Sequence, residues 1–187
     1  AVIFETKGNL DKALELRGLT FNNAHIIGTG INMPKDDYKT KVTMGHKIHI
    51  YYIGRIVKIK ALDRLIDSMD YLSETEKDNI HIDIIGEGEL IGEYKNSVYH
   101  RKLNSTITFH GFVNEVEHYL NESDIFILPS HMEGLSISLL EAMSYGKACI
   151  VNDYGLPFTS DEVYTMRNNK PDTIAEAIRY FINNSNQ

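Results

Sequence analysis

Two carboxylates and two cations carry whatever chemistry this chain performs. Glu133 and Glu141 stand in and after the segment Pro129-Ser130-His131-Met132-Glu133-Gly134-Leu135-Ser136, and Arg55 and Lys60 stand well upstream. The planar fork of an arginine suits phosphate oxygens. Lys60 falls at the start of a helical pattern, where a positive charge opposes the helix dipole, so helix stability is not its evident purpose. A carboxylate beside an anion site repels phosphate but accepts hydrogen bonds from hydroxyls. Glu133 and Glu141, about two helical turns apart, would therefore span a ligand with hydroxyls at both ends rather than share one proton. The amide groups near Gly134, Leu135 and Ser136 open a helix and offer an anion site between them, with Gly134 permitting close approach. Each feature also has a plainer reading. Arg55 and Lys60 could be solvated surface cations, Ser136 or Ser138 a simple helix cap, Glu133 an exposed loop acid and Glu141 half of a buried ion pair.

The elements that must position these residues follow a βα rhythm. Strands are expected at 48–53, 80–85, 106–109, 125–128 and 148–151, with helices at about 61–71, 89–102, 115–121, 135–145 and 172–183 and a short last strand within 162–166. The helix at 135–145 is apolar nearly all round, which predicts a buried helix and makes Glu141 a carboxylate in need of a partner. Upstream, strands at 2–4 and 24–27 flank a helical pattern over 10–19. Residues 34–47 are polar and rich in Lys and Asp, which predicts a linker or long loop. Alternation of this kind predicts an α/β fold with an open, doubly wound parallel sheet, in which ligands bind beyond the carboxyl ends of the strands. Gly54-Arg55, Gly86-Glu87-Gly88, His110-Gly111 and the 129–136 loop then share one rim, with His110 and His131 as secondary polar contacts.

Composition narrows the classes. The 187 residues are 42% hydrophobic and 24% charged, with a net charge of −7. The Lys and Arg residues are scattered, so no nucleic-acid partner is expected. No apolar run approaches a membrane span, and no signal-peptide pattern is read at the start. The single Cys149 forms no internal disulfide and fits a reducing, cytoplasmic setting. Gly86-Glu87-Gly88 and Gly28-Thr29-Gly30 lack the third glycine of a dinucleotide fingerprint, since Ile91 and Met33 stand there, which argues against a nicotinamide-dependent oxidoreductase. There is no Walker phosphate loop, no nucleophile elbow, no Asp-x-Asp pair and no metal-ligand spacing among the eight histidines, so no metal is expected.

Several of these segments together resemble one family. Pro129-Ser130-x-x-Glu133-Gly134 with Glu141-Ala142-Met143 and Gly146-Lys147 is similar to the signature of retaining GT-B glycosyltransferases, the group 1 enzymes like glycogen synthase and sucrose synthase. Gly54-Arg55 with Lys60, Ile85-Gly86-Glu87-Gly88, Phe109-His110-Gly111-Phe112-Val113 and Gly30-Ile31-Asn32 resemble further segments of that family, in the same order. The resemblance implies a Rossmann-like domain, the C-terminal, donor-binding half of a GT-B fold, over residues 48–187, with 1–33 a remnant of the N-terminal domain or an interdomain βα segment. It implies transfer of a sugar from a nucleotide-diphosphate sugar, without metal or other cofactor, to an acceptor sugar or glycolipid bound by the N-terminal domain. Membrane association would come only through that other part. Arg55, Lys60 and Glu133 are then the catalytic residues. Gly54, Gly86, Gly88, Gly111, Phe112, Val113, His131, Gly134, Leu135, Ser136 and Glu141 bind the donor, with Glu141 on the ribose and Glu133 on the sugar. A non-catalytic nucleotide-binding or scaffold module of the same fold is the alternative. The chain departs from the family pattern at Ala61 (usually glycine), at Thr29, and at Tyr154-Gly155-Leu156-Pro157-Phe158.

Overall fold

The computed structural model describes residues 2–4, 7–17, 23–28, 30–31, 47–153 and 158–184. At the N-terminal end, β1 (Val2–Phe4), α1 (Lys7–Arg17) and β2 (Ala24–Ile26) form a small unit with a parallel strand pair. Most of the expected linker at 34–47 lies outside the described residues, as do Thr29 and residues 154–157.

The main domain runs through β3 (Ile48–Ile53), α2 (Leu62–Ser68), α3 (Glu74–Asp78), β4 (Ile80–Ile85), α4 (Ile91–His100), β5 (Ile107–Gly111), α5 (Glu117–Glu122), β6 (Ile125–Leu128), α6 (Ile137–Ser144), β7 (Ala148–Asn152), β8 (Tyr164–Met166) and α7 (Pro171–Asn184). The strands form a six-stranded sheet in the order β5-β4-β3-β6-β7-β8. Every pairing is parallel, as the βα alternation predicts. The order reverses between β3 and β6, and it is at such a switch point that an open sheet leaves a crevice for ligand.

The strands are apolar because both faces are covered. Alternation sends Tyr51 to one face, where its ring meets Phe126 at 5.2 Å, and Tyr52 to the other. Both are fully buried, with Ile50, Ile82, Ile84, Phe126 and Ile127. α7 closes the core with Ile174, Ala175, Ala177 and Ile178. The sequence reading missed α3. Its signal was present as a capping box, in which Ser73 Oγ accepts from the Glu76 N–H and the Glu76 carboxylate accepts from the Ser73 N–H at 2.7 Å.

The strand exits are joined by backbone bonds that leave no room for side chains. The Gly54 N–H donates to Ile85 O at 3.0 Å and the Ile56 N–H to Glu87 O at 2.8 Å. Gly86 has φ +135°, and a Cβ there would sit 2.0 Å from Gly54 O. Gly86→Ala is expected to destabilise the domain by about 3 kcal/mol or more, strain and clash together. Gly92→Ala in α4, where a Cβ meets nothing within 4 Å, is expected to stabilise by up to ~1 kcal/mol. Urea denaturation of both variants checks the opposite signs.

Candidate donor site at the sheet switch point

The crevice is built from the exits of β3 and β6. After β3 the chain passes Gly54-Arg55 and makes a single 3₁₀ turn over Lys58–Lys60. Ala61 closes that turn with φ 54° and ψ 35°, a left-handed conformation, and its N–H donates to Lys58 O. This explains the departure read from sequence: the backbone keeps the conformation glycine favours, and alanine holds it at a cost of about 1 kcal/mol. The turn aims Lys60 across the switch point. There Lys60 Nζ lies 2.5 Å from Glu133 Oε1, with the two side chains only 15% and 11% exposed. Ser130 Oγ donates to the same oxygen at 2.6 Å, and the His131 N–H donates to Ile59 O at 2.9 Å. Lys60 and Glu133 are therefore neither a solvated cation nor an exposed acid. They form one partly buried pair.

Two asparagines that the sequence reading did not single out hold the β6 exit loop. Asn152, at the end of β7, donates from Nδ2 to Ser130 O at 3.1 Å. Asn169, in the loop before α7, donates from Nδ2 to Pro129 O at 2.8 Å. Asparagines at element ends are common, and only the tertiary contact distinguishes these two. Ser130 lies inside the motif, but its bond to Glu133 needs the loop geometry to be seen.

α6 begins at Ile137, two residues later than expected, with Ser136 as its N-cap. Ser136 makes no side-chain bond to the helix amides. Its Oγ meets Ser138 Oγ at 3.0 Å instead. The first intrahelical bond runs from the Leu140 N–H to Ser136 O, so the amides of the opening turn carry the dipole's positive end without a capping side chain. The helix is not buried all round. Leu139 and Ala142 are buried, whereas Ile137 is 52% exposed. Glu141, one turn in, is half-buried, and among the described residues no ion pair or side-chain hydrogen bond is shown for it. Burial pushes its carboxyl above the ordinary value of 4.5. The ion-pair reading of Glu141 thus finds no support among the described residues, and the need for a partner stands.

A second part of the rim lies beyond β4 and β5. A cleft of about 300 Å³ is lined by Ile53, Gly54, Arg55, Ile85, Gly86, Glu87, Phe112, Val113 and Val116. Its walls are mostly apolar, and Phe112 is largely exposed. Arg55 is exposed on this cleft and has no ion pair among the described residues. Gly111, at φ +72°, turns the chain out of β5. Gly88 belongs to the loop packing, since a Cβ there would lie 2.2 Å from Ile56 O. His110 lies at a register shift in the β4–β5 pairing and stays exposed, while its Nε2–H donates to Asp83 Oδ1 at 2.6 Å. His81 Nε2 and His49 Nδ1 lie 3.5 and 3.7 Å from the same carboxylate. Among the described residues no group of His, Cys, Asp and Glu is placed to hold a metal ion, and no helix is long and apolar enough to cross a membrane.

Cations, the uncapped start of α6 and carboxylates thus gather around the switch point of a doubly wound domain. The chain belongs to the glycosyl transferases group 1 family, whose model matches residues 35–187. It is 31% identical over 180 residues to an uncharacterized glycosyltransferase of Methanocaldococcus jannaschii, covering 91% of this chain and 43% of that protein. It is 31% identical over 125 residues to the UDP-Gal:alpha-D-GlcNAc-diphosphoundecaprenol alpha-1,3-galactosyltransferase of Escherichia coli, covering 64% of this chain and 32% of that one. The chain thus spans less than half the length of these relatives. Among solved structures, the fold is similar to that of a point mutant of S. aureus TarM in complex with fondaparinux, alpha-GlcNAc-glycerol and UDP (TM-score 0.83, 19% identity, 99% of this chain and 37% of that one). It is also similar to Anabaena HepE in complex with UDP and glucose (TM-score 0.82, 16% identity, 99% of this chain and 54% of that one). The main domain is a Rossmann-like domain of the kind that forms the C-terminal half of GT-B enzymes.

Proposed function

We propose that this chain is the donor-binding part of a retaining, metal-independent glycosyltransferase that uses a nucleotide-diphosphate sugar. The observation that carries the reading is the Lys60–Glu133 pair at the switch point. An ammonium group has three donors. Glu133 takes one, which leaves two for diphosphate oxygens. Glu133 keeps Oε2 outside the bonds to Lys60 and Ser130 and can accept from a sugar hydroxyl. The nucleobase lies in the apolar cleft beside Phe112 and Val113, with Gly54 and Gly86 in its lining and Gly111 turning the chain towards Phe112. The ribose reaches Glu141, and the diphosphate sits between Arg55, Lys60 and the opening amides of α6 beyond Gly134, Leu135 and Ser136. As the sugar–oxygen bond breaks, charge grows on the departing phosphate, and positive groups already in place stabilise it without reorganising. In the retaining route the acceptor attacks from the face the diphosphate leaves.

UDP is the first nucleotide to test, because the TarM and HepE structures hold it. The acceptor, a sugar or glycolipid, is assigned to a preceding domain. The exposed apolar side chains Ile59, Phe112, Met132 and Ile137 suit closure of such a domain over the rim. The 187-residue chain is therefore expected to bind UDP and UDP-sugars with little or no transfer. In titration calorimetry, Glu133→Ala is expected to spare UDP and weaken a UDP-sugar, whereas Glu141→Ala weakens both. Equal losses of both ligands in the two variants refute these roles. No binding of UDP, GDP or ADP at millimolar concentration would favour a scaffold module instead.

A further inference from the structure

Asn169 does more than hold a loop. Its Nδ2 lies 2.8 Å from Pro129 O and 3.0 Å from His131 Nδ1. A backbone carbonyl only accepts, so the atom facing it must be the amide nitrogen and the orientation of the side-chain amide is settled by chemistry. One N–H goes to Pro129 O and the other to His131 Nδ1. Nδ1 is then an acceptor, and the imidazole is the neutral tautomer with its proton on Nε2. Doubly protonated His131 would set two N–H groups against each other.

Both ends of this arrangement are held. Asn169 is only 9% exposed. Asn168 Oδ1 closes its loop by accepting from the Lys170 N–H at 2.9 Å and from Thr173 Oγ1 at 3.1 Å. His131 is tied by its own N–H to Ile59 O, the residue before Lys60, and its ring is exposed. With Nδ1 turned in to a buried amide, Nε2–H is the outward end of an exposed ring in the same loop as Glu133, two residues before it.

We propose that Asn169 is a positioning residue of the donor site, locking His131 as an Nε2–H hydrogen-bond donor to a diphosphate oxygen of the nucleotide. This role rests on the nucleotide-sugar reading above. It is chemically distinct from the cations: a neutral, directional donor added to Arg55 and Lys60, whose hydrogen bond needs no ionisation of the ring.

The test uses the 187-residue chain labelled with ¹⁵N in histidine, with His131 assigned by difference against His131→Gln. Long-range ¹H–¹⁵N spectra are expected to show a protonated Nε2 and an unprotonated Nδ1, and Asn169→Asp to move the proton to Nδ1. Addition of UDP is expected to shift Nε2. His131→Ala, which leaves the Asn169–Pro129 bond intact, is expected to weaken UDP about tenfold, the loss of one hydrogen bond to a charged group. Uridine affinity should be unchanged. A proton found on Nδ1 in the unsubstituted chain overturns the proposal, and so does equal UDP affinity in His131→Ala. If UDP fails to bind the unsubstituted chain at all while the tautomer is as stated, the donor reading itself has failed and this role falls with it.

Discussion

Lys60→Ala is expected to be the most damaging single change at the site, and to act on both stability and chemistry. Removing the ammonium leaves Glu133, 11% exposed in its side chain, as a carboxylate without its counter-charge. Breaking a buried pair in this way costs about 3–5 kcal/mol. The surviving bond from Ser130 and the residual solvent access bring the expected loss down to or below the bottom of that range, about 2–3 kcal/mol. On the proposed donor-site reading, the same change in a chain that also carries an acceptor domain removes a fixed positive group from the departing phosphate, for an expected loss of about 10²–10³ in turnover. The two effects separate in a double variant. Lys60→Met with Glu133→Gln replaces the pair by neutral groups of similar size and should regain most of the stability. It should regain none of the UDP-sugar binding. Chemical denaturation and calorimetry on the single and double variants measure this. Recovery of binding in the double variant would show that the pair serves the fold alone.

Glu141→Gln is expected to do the reverse: strengthen the fold and weaken the ligand. The carboxyl is raised above its ordinary value by burial. A carboxyl with a raised folded-state value contributes stability that is fully present below its unfolded value and is lost as pH rises through the folded one. At neutral pH the ionised group is therefore a cost that glutamine removes. The variant should melt higher than the parent at neutral pH, and the difference should shrink as pH falls towards and below 4.5, the ordinary value. On the proposed placement of the ribose, nucleotide binding should fall by about 10–100-fold, since its hydroxyls lose a charged acceptor. A variant that melts lower than the parent at neutral pH would mean that the carboxylate has a structural partner after all. The combination of higher melting temperature and poorer binding is the mark of a group kept for function at the expense of stability.

The strands were legible because both sheet faces are covered, so runs such as Ile125-Phe126-Ile127-Leu128 have no polar residue and stop sharply. Helix edges were not. α6 starts at Ile137 rather than Leu135, because the glycine-containing loop and the cap share the same small residues. The pattern over 61–71 resolves into a short α2 and a 3₁₀ turn at Met69–Tyr71, with another 3₁₀ turn over Lys58–Lys60 just before it, since side-chain spacing does not record the difference between i+3 and i+4 backbone bonds. α3 went unread although Ser73-Glu74-Thr75-Glu76 is a capping box, because so short a helix has no apolar face.

The sequence by itself determined the parallel α/β architecture, the family and the residue types at the site. Those follow from local periodicity and from motifs in a given order. Only the tertiary structure decided which of those residues meet. Lys60 and Glu133 are far apart in the chain and come within 2.5 Å because strand order reverses between β3 and β6. Asn152 and Asn169 reach Ser130 and Pro129 from elements that carry no motif. Nothing in a linear pattern marks such contacts. A hydrogen bond depends on where two backbones converge, and convergence is a property of the packed sheet rather than of either segment alone.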